Sequence, residues 1–447
     1  MKKPAFLPAA ALLAALFAGT VNAADLLQVY RLALDNDPQF LAARHQADAG
    51  REKETQARAG LLPTLGASAN TQWNDLRRDI NGMPSARSDY NSHGYALTLS
   101  QPLLRWQNVV AWQQGRAQAA QAEVQFAQAR QDVILRVAQA YFDVLYAEEN
   151  LRAIEAQKTA IAQQLEQAKK NFEVGTATIV DTHETQSRFD LATAQAIAAG
   201  SELEIRRRAL EVVVGRDPGT LARLREDARL ARPQPEAMAP WVTAAEQDSM
   251  AVQLQQLALE LATKEVERNR AGHYPTLDAV VSHGKAAQNA ALPTLGTLQG
   301  PGFDTRSTTA ALQLNIPLYQ GGLVDSRTRE AAASREAARQ QLEAARRNAA
   351  QAARQAWLGV ANGTAQVAAL KAALVSSQSS LESNKLGYEV GVRIGIDVLN
   401  AEQQVYATRR DLARAWYDVL LAQLRLKAAV GTLEEADLAA INALLAQ

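Results

Sequence analysis

Residues 171–181 read NFEVGTATIVD, and residues 387–397 read GYEVGVRIGID. In each, a Val-Gly step follows a long run of helix-forming residues, and helical pattern resumes shortly after with an Asp near its start. A tight reversal between two helices needs a residue that tolerates left-handed backbone, which glycine does without steric cost. The likeness extends well past the turns. From Asn171 to Gly215 and from Gly387 to Gly431 the chain aligns with itself without a gap, Asp181 against Asp397, each block closing on Val-Gly (Val214-Gly215, Val430-Gly431). Upstream, AGLLPTL (59–65) returns as AGHYPTL (271–277), and Pro102-Leu103 returns as Pro317-Leu318. Glycine, proline and aspartate landmarks recurring in the same order mark a duplicated unit.

Helices flank both turns. From about Gln107 to Lys170 there is no proline and a single glycine, Gly115, which allows about 95 Å of continuous helix. That length suits a coiled coil or a tube better than a compact domain. Ile154, Ile161, Leu165, Ala168 and Phe172 keep heptad spacing, and after the second turn Val398, Val405, Leu412, Val419 and Leu426 keep it strictly. Three residues past each of these stand Ala401, Thr408, Ala415, Ala422 and Ala429; Phe189, Ala196, Leu203 and Leu210 form the corresponding row of the first half. A branched residue in one core position and a small one in the other lets helices pack closely.

Before each long helix the period changes from helical to two. Leu65, Ala67, Ala69, Thr71 and Trp73 share one face of a strand over about 64–74, and Tyr95, Leu97 and Leu99 one face of a strand over about 94–101. The second half repeats this over about 275–284 (Leu277, Ala279, Val281) and 308–316 (Ala310, Leu312, Leu314, Ile316). Alternation over roughly ten residues is the pattern of a transmembrane β-strand, and equally of a half-buried soluble hairpin. The intervening stretches, 75–93 and 285–307, are polar and hold Gly and Pro, as loops do. Each half thus reads helix, strand, loop, strand, long helix, turn, long helix. The first repeat covers 24–215 and the second 241–431. Residues 216–240, with Pro218, Pro233, Pro235 and Pro240, connect them outside the helical wall, and 432–447 form a short C-terminal segment.

Composition narrows the function classes. Lys2 and Lys3 precede an apolar stretch (5–18), and Val21-Asn22-Ala23 offers a small-x-small cleavage site, so 1–23 read as a secretory signal peptide. There is no cysteine, which excludes disulfides and a lipid anchor on a cleavage-site Cys. No later segment has 18 consecutive apolar residues, so no transmembrane helix is expected. The 47 basic and 47 acidic residues cancel, which gives no support to nucleic-acid binding. The five histidines are scattered without ligand spacing, and there is no phosphate loop or nucleophile elbow; an enzyme, a cofactor and a metal site are not expected. Four strands cannot close a barrel in one chain, and open edges cannot face lipid. Either the strands lie outside the membrane, or several copies supply them; three copies would give twelve strands and twelve long helices.

With its element order, leader, duplicated AG-x-x-PTL entries and two Val-Gly turns, the chain resembles the TolC family of outer-membrane efflux proteins over essentially its whole mature length, most specifically at 172–176 and 388–392. The resemblance implies a mainly α fold with a membrane β-barrel: a homotrimer whose 12-stranded barrel, four strands per chain, sits in outer-membrane lipid on a periplasmic coiled-coil tunnel. It implies an exit duct fed by an inner-membrane transporter (RND or ABC type) through a periplasmic adaptor. Without a lipidation Cys the chain is more similar to the non-lipidated branch, which includes type I secretion channels. It also implies site roles. Arg393 and Tyr388 would hold Asp181 in a gate network. Asp397 would face the pore constriction, where three copies make a ring of carboxylates attractive to cations. Asn400 stands where the family has a second acid, which halves that ring's charge. The turns Val174-Gly175-Thr176 and Val390-Gly391-Val392 would dock the adaptor. The plainer reading of Asp181 and Asp397 is that of helix-start acids favoured by the dipole. The alternative from another class is a periplasmic adaptor or structural coiled coil, but an adaptor has one central hairpin where this chain has two.

Overall fold

The computed structural model describes residues 23–79, 81–82, 85–176, 178–225, 228–230, 232–291 and 300–446; the expected signal peptide lies outside them except for Ala23. The elements run α1 (Leu26–Asn36), α2 (Pro38–Ala59), β1 (Thr64–Arg78), β2 (Ala86–Leu104), α3 (Trp106–Glu173), α4 (Ile179–Val214), α5 (Met238–Asp248), α6 (Met250–Arg270), β3 (Thr276–Ala291), β4 (Gly300–Asn315), α7 (Leu323–Glu389), α8 (Gly395–Ala429) and α9 (Glu435–Asn442). They fall into two compact units. One holds Met1–Arg44, Ala127–Met250 and Arg346–Gln447, and the other His45–Phe126 and Ala251–Ala345.

The second unit contains one four-stranded sheet in the order β1-β2-β3-β4, antiparallel throughout. Leu65 pairs with Leu99, Leu99 with Val281, and Val281 with Ala310, so the alternating residues of all four strands share one face. That face is apolar and exposed to solvent in the single chain: Leu65, Trp73, Tyr95, Leu97, Leu99, Val281, Leu312 and Leu314 all stand open. The opposite face carries Ser68, Asn70, Gln72, Thr98, Ser282, Ser307 and Thr309. Beside the sheet, the Arg105 guanidinium donates to both carboxylate oxygens of Asp278 at 2.9 and 2.6 Å, which fixes the strand-to-helix corner with a bidentate pair.

The strands are longer than their alternation predicts, and this corrects the reading of 75–93 and 285–307 as loops. Asp75–Arg78 continue β1 against Arg87 and its neighbours, and Lys285–Ala291 continue β3 against Gly300–Arg306. Period-two hydrophobicity marks a strand only where one face is apolar. Beyond that band the alternation of apolar and polar residues is lost, and the ladder continues on backbone hydrogen bonds and cross-strand charge pairs. Arg87 donates to both oxygens of Asp75 at 3.0 and 2.7 Å, one such pair.

In the first unit, α8 buries Val398, Val405, Val419 and Leu426 with Thr408 and Ala415, both rows of its heptad. On α4 the buried residues are Thr185, Ala192 and Ala199, then Leu210 of the expected row and Val214; Phe189 is partly buried against the Ile161–Ala192–Leu399 cluster. Beside Ile161 and Leu399 the small Ala192 lets the backbones approach, while the larger Phe189 lies across the flank. The connector is not wholly external. Leu221 and Ala222 are buried, Leu221 bridges Ala24 and Leu224 bridges Leu445, and α5 begins inside the stretch at Met238. Tyr141, fully buried, donates its hydroxyl to the carbonyls of Ala222 and Ala24 at 2.8 and 3.1 Å. Phe142 stacks on Tyr417, ring centroids 5.4 Å apart. Chain start, connector and C-terminal segment are thus sewn to the helices around one aromatic core.

Among the described residues one helix, α7, holds a window apolar enough by length and composition to cross a membrane. Its alanine and valine content is that of a helix packing on others through a small-residue face, with Val360, Ala353 and Val367 buried.

Candidate functional site

The site is built at the two interhelical turns and the first turns of α4 and α8. Each reversal is closed by its own backbone. Gly175 (φ +80°) and Gly391 (φ +78°) sit in left-handed conformation, and the residue after each donates back to the helix end: Thr176 N–H to Asn171 O at 2.8 Å, Val392 N–H to Gly387 O at 2.9 Å. This satisfies the last carbonyls of α3 and α7 and exposes whatever follows. Val174, Val390 and Val392 are 73, 65 and 76% exposed. No atom lies within 4 Å of a side chain built at either glycine, so the backbone angle, not space, demands glycine.

The duplicated aspartates have different surroundings. Asp181 belongs to a capping box: its Oδ2 accepts from Thr178 N–H (2.9 Å) and Thr178 Oγ1 (2.8 Å), and its own N–H donates to Thr178 Oγ1 (3.3 Å). The corresponding N-cap of α8 is Ile394, which has no side-chain cap to give. Asp397 instead lies 3.6 Å from the Arg393 guanidinium, one helical turn away. One hydroxyl, Thr178 against Ile394, decides whether the acid serves its own helix or is left for an arginine.

Of the predicted gate residues, the single chain therefore brings Arg393 to Asp397, and Asp181 to Thr178. Tyr388 accepts from Asn171 Nδ2 at 3.3 Å. No hydrogen bond or ion pair joins Asp181 to Arg393 or Tyr388 among the described contacts of this one chain. Asn400 accepts from Arg188 Nη2 at 3.0 Å, linking α8 to α4.

The sequence reading missed a buried carboxylate of the region. Glu402 is 5% exposed; Oε2 accepts from Gln164 Nε2 at 2.8 Å and Oε1 lies 2.9 Å from Lys385 Nζ. Three helices, α3, α7 and α8, meet on this carboxylate. Burial, then the Glu402 charge, pushes the neighbouring Tyr406 phenol above its ordinary range. The available signal was an acid four residues past Val398, adjoining the apolar row.

With the geometry in place, comparison with known proteins is informative. The family model described as outer membrane efflux protein matches residues 29–216 and 241–432. Outer membrane protein TolC of Vibrio cholerae is 33% identical over 431 residues, 95% of either chain. Alkaline protease secretion protein AprF of Pseudomonas aeruginosa is 32% identical, covering 94% of this chain and 87% of its own. The solved CmeC outer membrane channel of Campylobacter jejuni superposes with a TM-score of 0.78 over 92% of this chain and 86% of its own, at 17% identity, a likeness of fold.

Proposed function

This chain belongs to the outer membrane efflux protein family, and from that premise we propose how its parts work. It is an outer-membrane protein, the exit duct of an efflux or type I secretion system. Its family and fold are those of channels, and we read no catalytic step into it. The observation that carries the mechanism is the sheet: apolar on one face, polar on the other, and unpaired along β1 and β4. An open sheet cannot stand in lipid, because its edge amides would lose their hydrogen bonds. Three copies joined β4 to β1 make a closed twelve-stranded barrel, apolar outward, with the hairpin ends of the strands outside the cell and the helices in the periplasm. In this reading 24–215 and 241–431 are the two repeats and 216–240 the connector, a division supported by the two matched stretches.

Substrate enters at the helical turns. The exposed Val174-Gly175-Thr176 and Val390-Gly391-Val392 tips dock a periplasmic adaptor, which couples the duct to an inner-membrane transporter. Three Asp397 carboxylates line the constriction, each held by Arg393, with Asn400 beside them; Asp181 and Tyr388 complete the network when neighbouring copies meet. Such ion pairs are exposed and individually weak, so an adaptor can break them. The test is single-channel conductance in planar bilayers. A small wild-type conductance, larger in Arg393→Ser and with altered cation selectivity in Asp397→Ala, is expected. Inserted trimers whose conductance neither substitution changes would refute the gate.

A further inference from the structure

The sheet's apolar face ends in a cationic pair. Lys285 and Arg306 are cross-strand partners on β3 and β4. They share the face of Leu277, Val281, Leu312 and Leu314, and Tyr95 pairs with Lys285 from β2. Lys285 reaches Asp304 at 2.8 Å, and Arg306 is exposed. His283 and His93 lie on the same face beneath and beside them; His283 Nδ1 is 2.8 Å from Thr308 Oγ1, and His93 Nδ1 is 3.0 Å from Asn91 Oδ1. Bare cations would be costly within hydrocarbon, so their height matters. From Leu277 to Lys285 the strand advances about 27 Å, or about 20 Å along the membrane normal at ordinary barrel tilt. The apolar band of an outer-membrane barrel is about 25 Å tall. Lys285 and Arg306 therefore stand at its outer rim, level with headgroups, beside the exposed ring of Tyr95 that suits that interface.

We propose that Lys285 and Arg306 form a docking site for the phosphate of an anionic lipid headgroup in the outer leaflet, one site per β3–β4 hairpin. The proposal rests on the barrel reading above. A planar guanidinium and an ammonium side by side match a phosphate's oxygens, and the neighbouring apolar face receives the same lipid's chains. Asp304 holds Lys285 in place and leaves Arg306 to lead the contact.

The test uses the full-length protein in nanodiscs of zwitterionic lipid, probed with lipid A carrying its phosphates and with the dephosphorylated form. Bound lipid is counted by native mass spectrometry. Flotation of the protein with liposomes is read first: a chain that does not insert overturns the barrel reading and this site together. With insertion established, wild type is expected to prefer the phosphorylated form by about 25-fold, since each of the two cations near a membrane surface contributes about fivefold. Lys285→Gln with Arg306→Gln should abolish the preference, while Lys285→Arg with Arg306→Lys and the remote Arg409→Gln keep it. Equal binding of both lipids by wild type, or a preference that survives the double glutamine variant, would overturn the site and leave the barrel standing.

Discussion

Replacing Lys385 with alanine removes the paired cation from a carboxylate that water barely reaches. Glu402 is 5% exposed, and among the described residues its charge then keeps the Gln164 hydrogen bond alone. Breaking a fully buried pair costs about 3–5 kcal/mol. Lys385 itself is half-exposed, so water entering its place recovers part of that, and about 1–2 kcal/mol remains. A loss of that size multiplies local opening of α8 against α3 and α7 by about 5–30-fold. Native-state hydrogen exchange reads it directly, as faster exchange of amides near 399–405 and 382–388 with the sheet unchanged. The charge-swapped pair, Lys385→Glu with Glu402→Lys, should recover at least half of the loss if the Coulombic contact is what matters. Unchanged exchange in Lys385→Ala would show that Glu402 is satisfied without its cation. A swap no better than the worse single variant would refute the pairing.

Other consequences are as direct. Gly391→Val forces a β-branched residue to a φ of +78° and costs about 1–2 kcal/mol; trimers should still assemble on a native gel, while recovery of the adaptor complex by affinity purification falls. Thr178→Ala dismantles the α4 capping box and should cost about 1 kcal/mol, read as faster exchange in the first turn of α4. Ile394→Thr should do the reverse on α8, drawing Asp397 to its own N-cap and away from Arg393; a conductance increase like that of Arg393→Ser is expected. Burial raises the pKa of the Tyr141 phenol above its ordinary value of about 10. The stability this contributes is fully present below about pH 10 and is lost as pH rises further, because the unfolded chain ionises first. Tyr141→Phe should therefore lower stability by about 1 kcal/mol at neutral pH and soften the alkaline loss, measured by far-UV dichroism on heating.

Periodicity carried the helices and the membrane-facing part of the strands, since apolar residues at spacings of seven and two report which face is buried. It lost β1 and β3 beyond about residues 74 and 284, and the facing parts of β2 and β4, where the strands leave the apolar band. On α4 it found Leu210 but missed the buried Thr185, Ala192 and Ala199, because alanine and threonine carry little hydrophobic signal although their size sets how closely helices approach. At the turns the glycines were legible, each being the residue on which a left-handed angle falls.

A duplicated chain of long helices and strands, its two reversals and the residues at their tips follow from the order of residues alone, because such features depend on neighbours two to seven positions away. Tertiary structure alone decided which charges meet. Gln164 stands in the other half of the chain from Lys385 and Glu402, and the three converge only when α3, α7 and α8 pack. Asp181 and Asp397, by contrast, take their partners from three and four residues away, so Thr178 against Ile394 already separates them along the chain. Ion pairs and hydrogen bonds act over a few ångströms of space, and spacing along the chain does not report which distant residues packing brings that close.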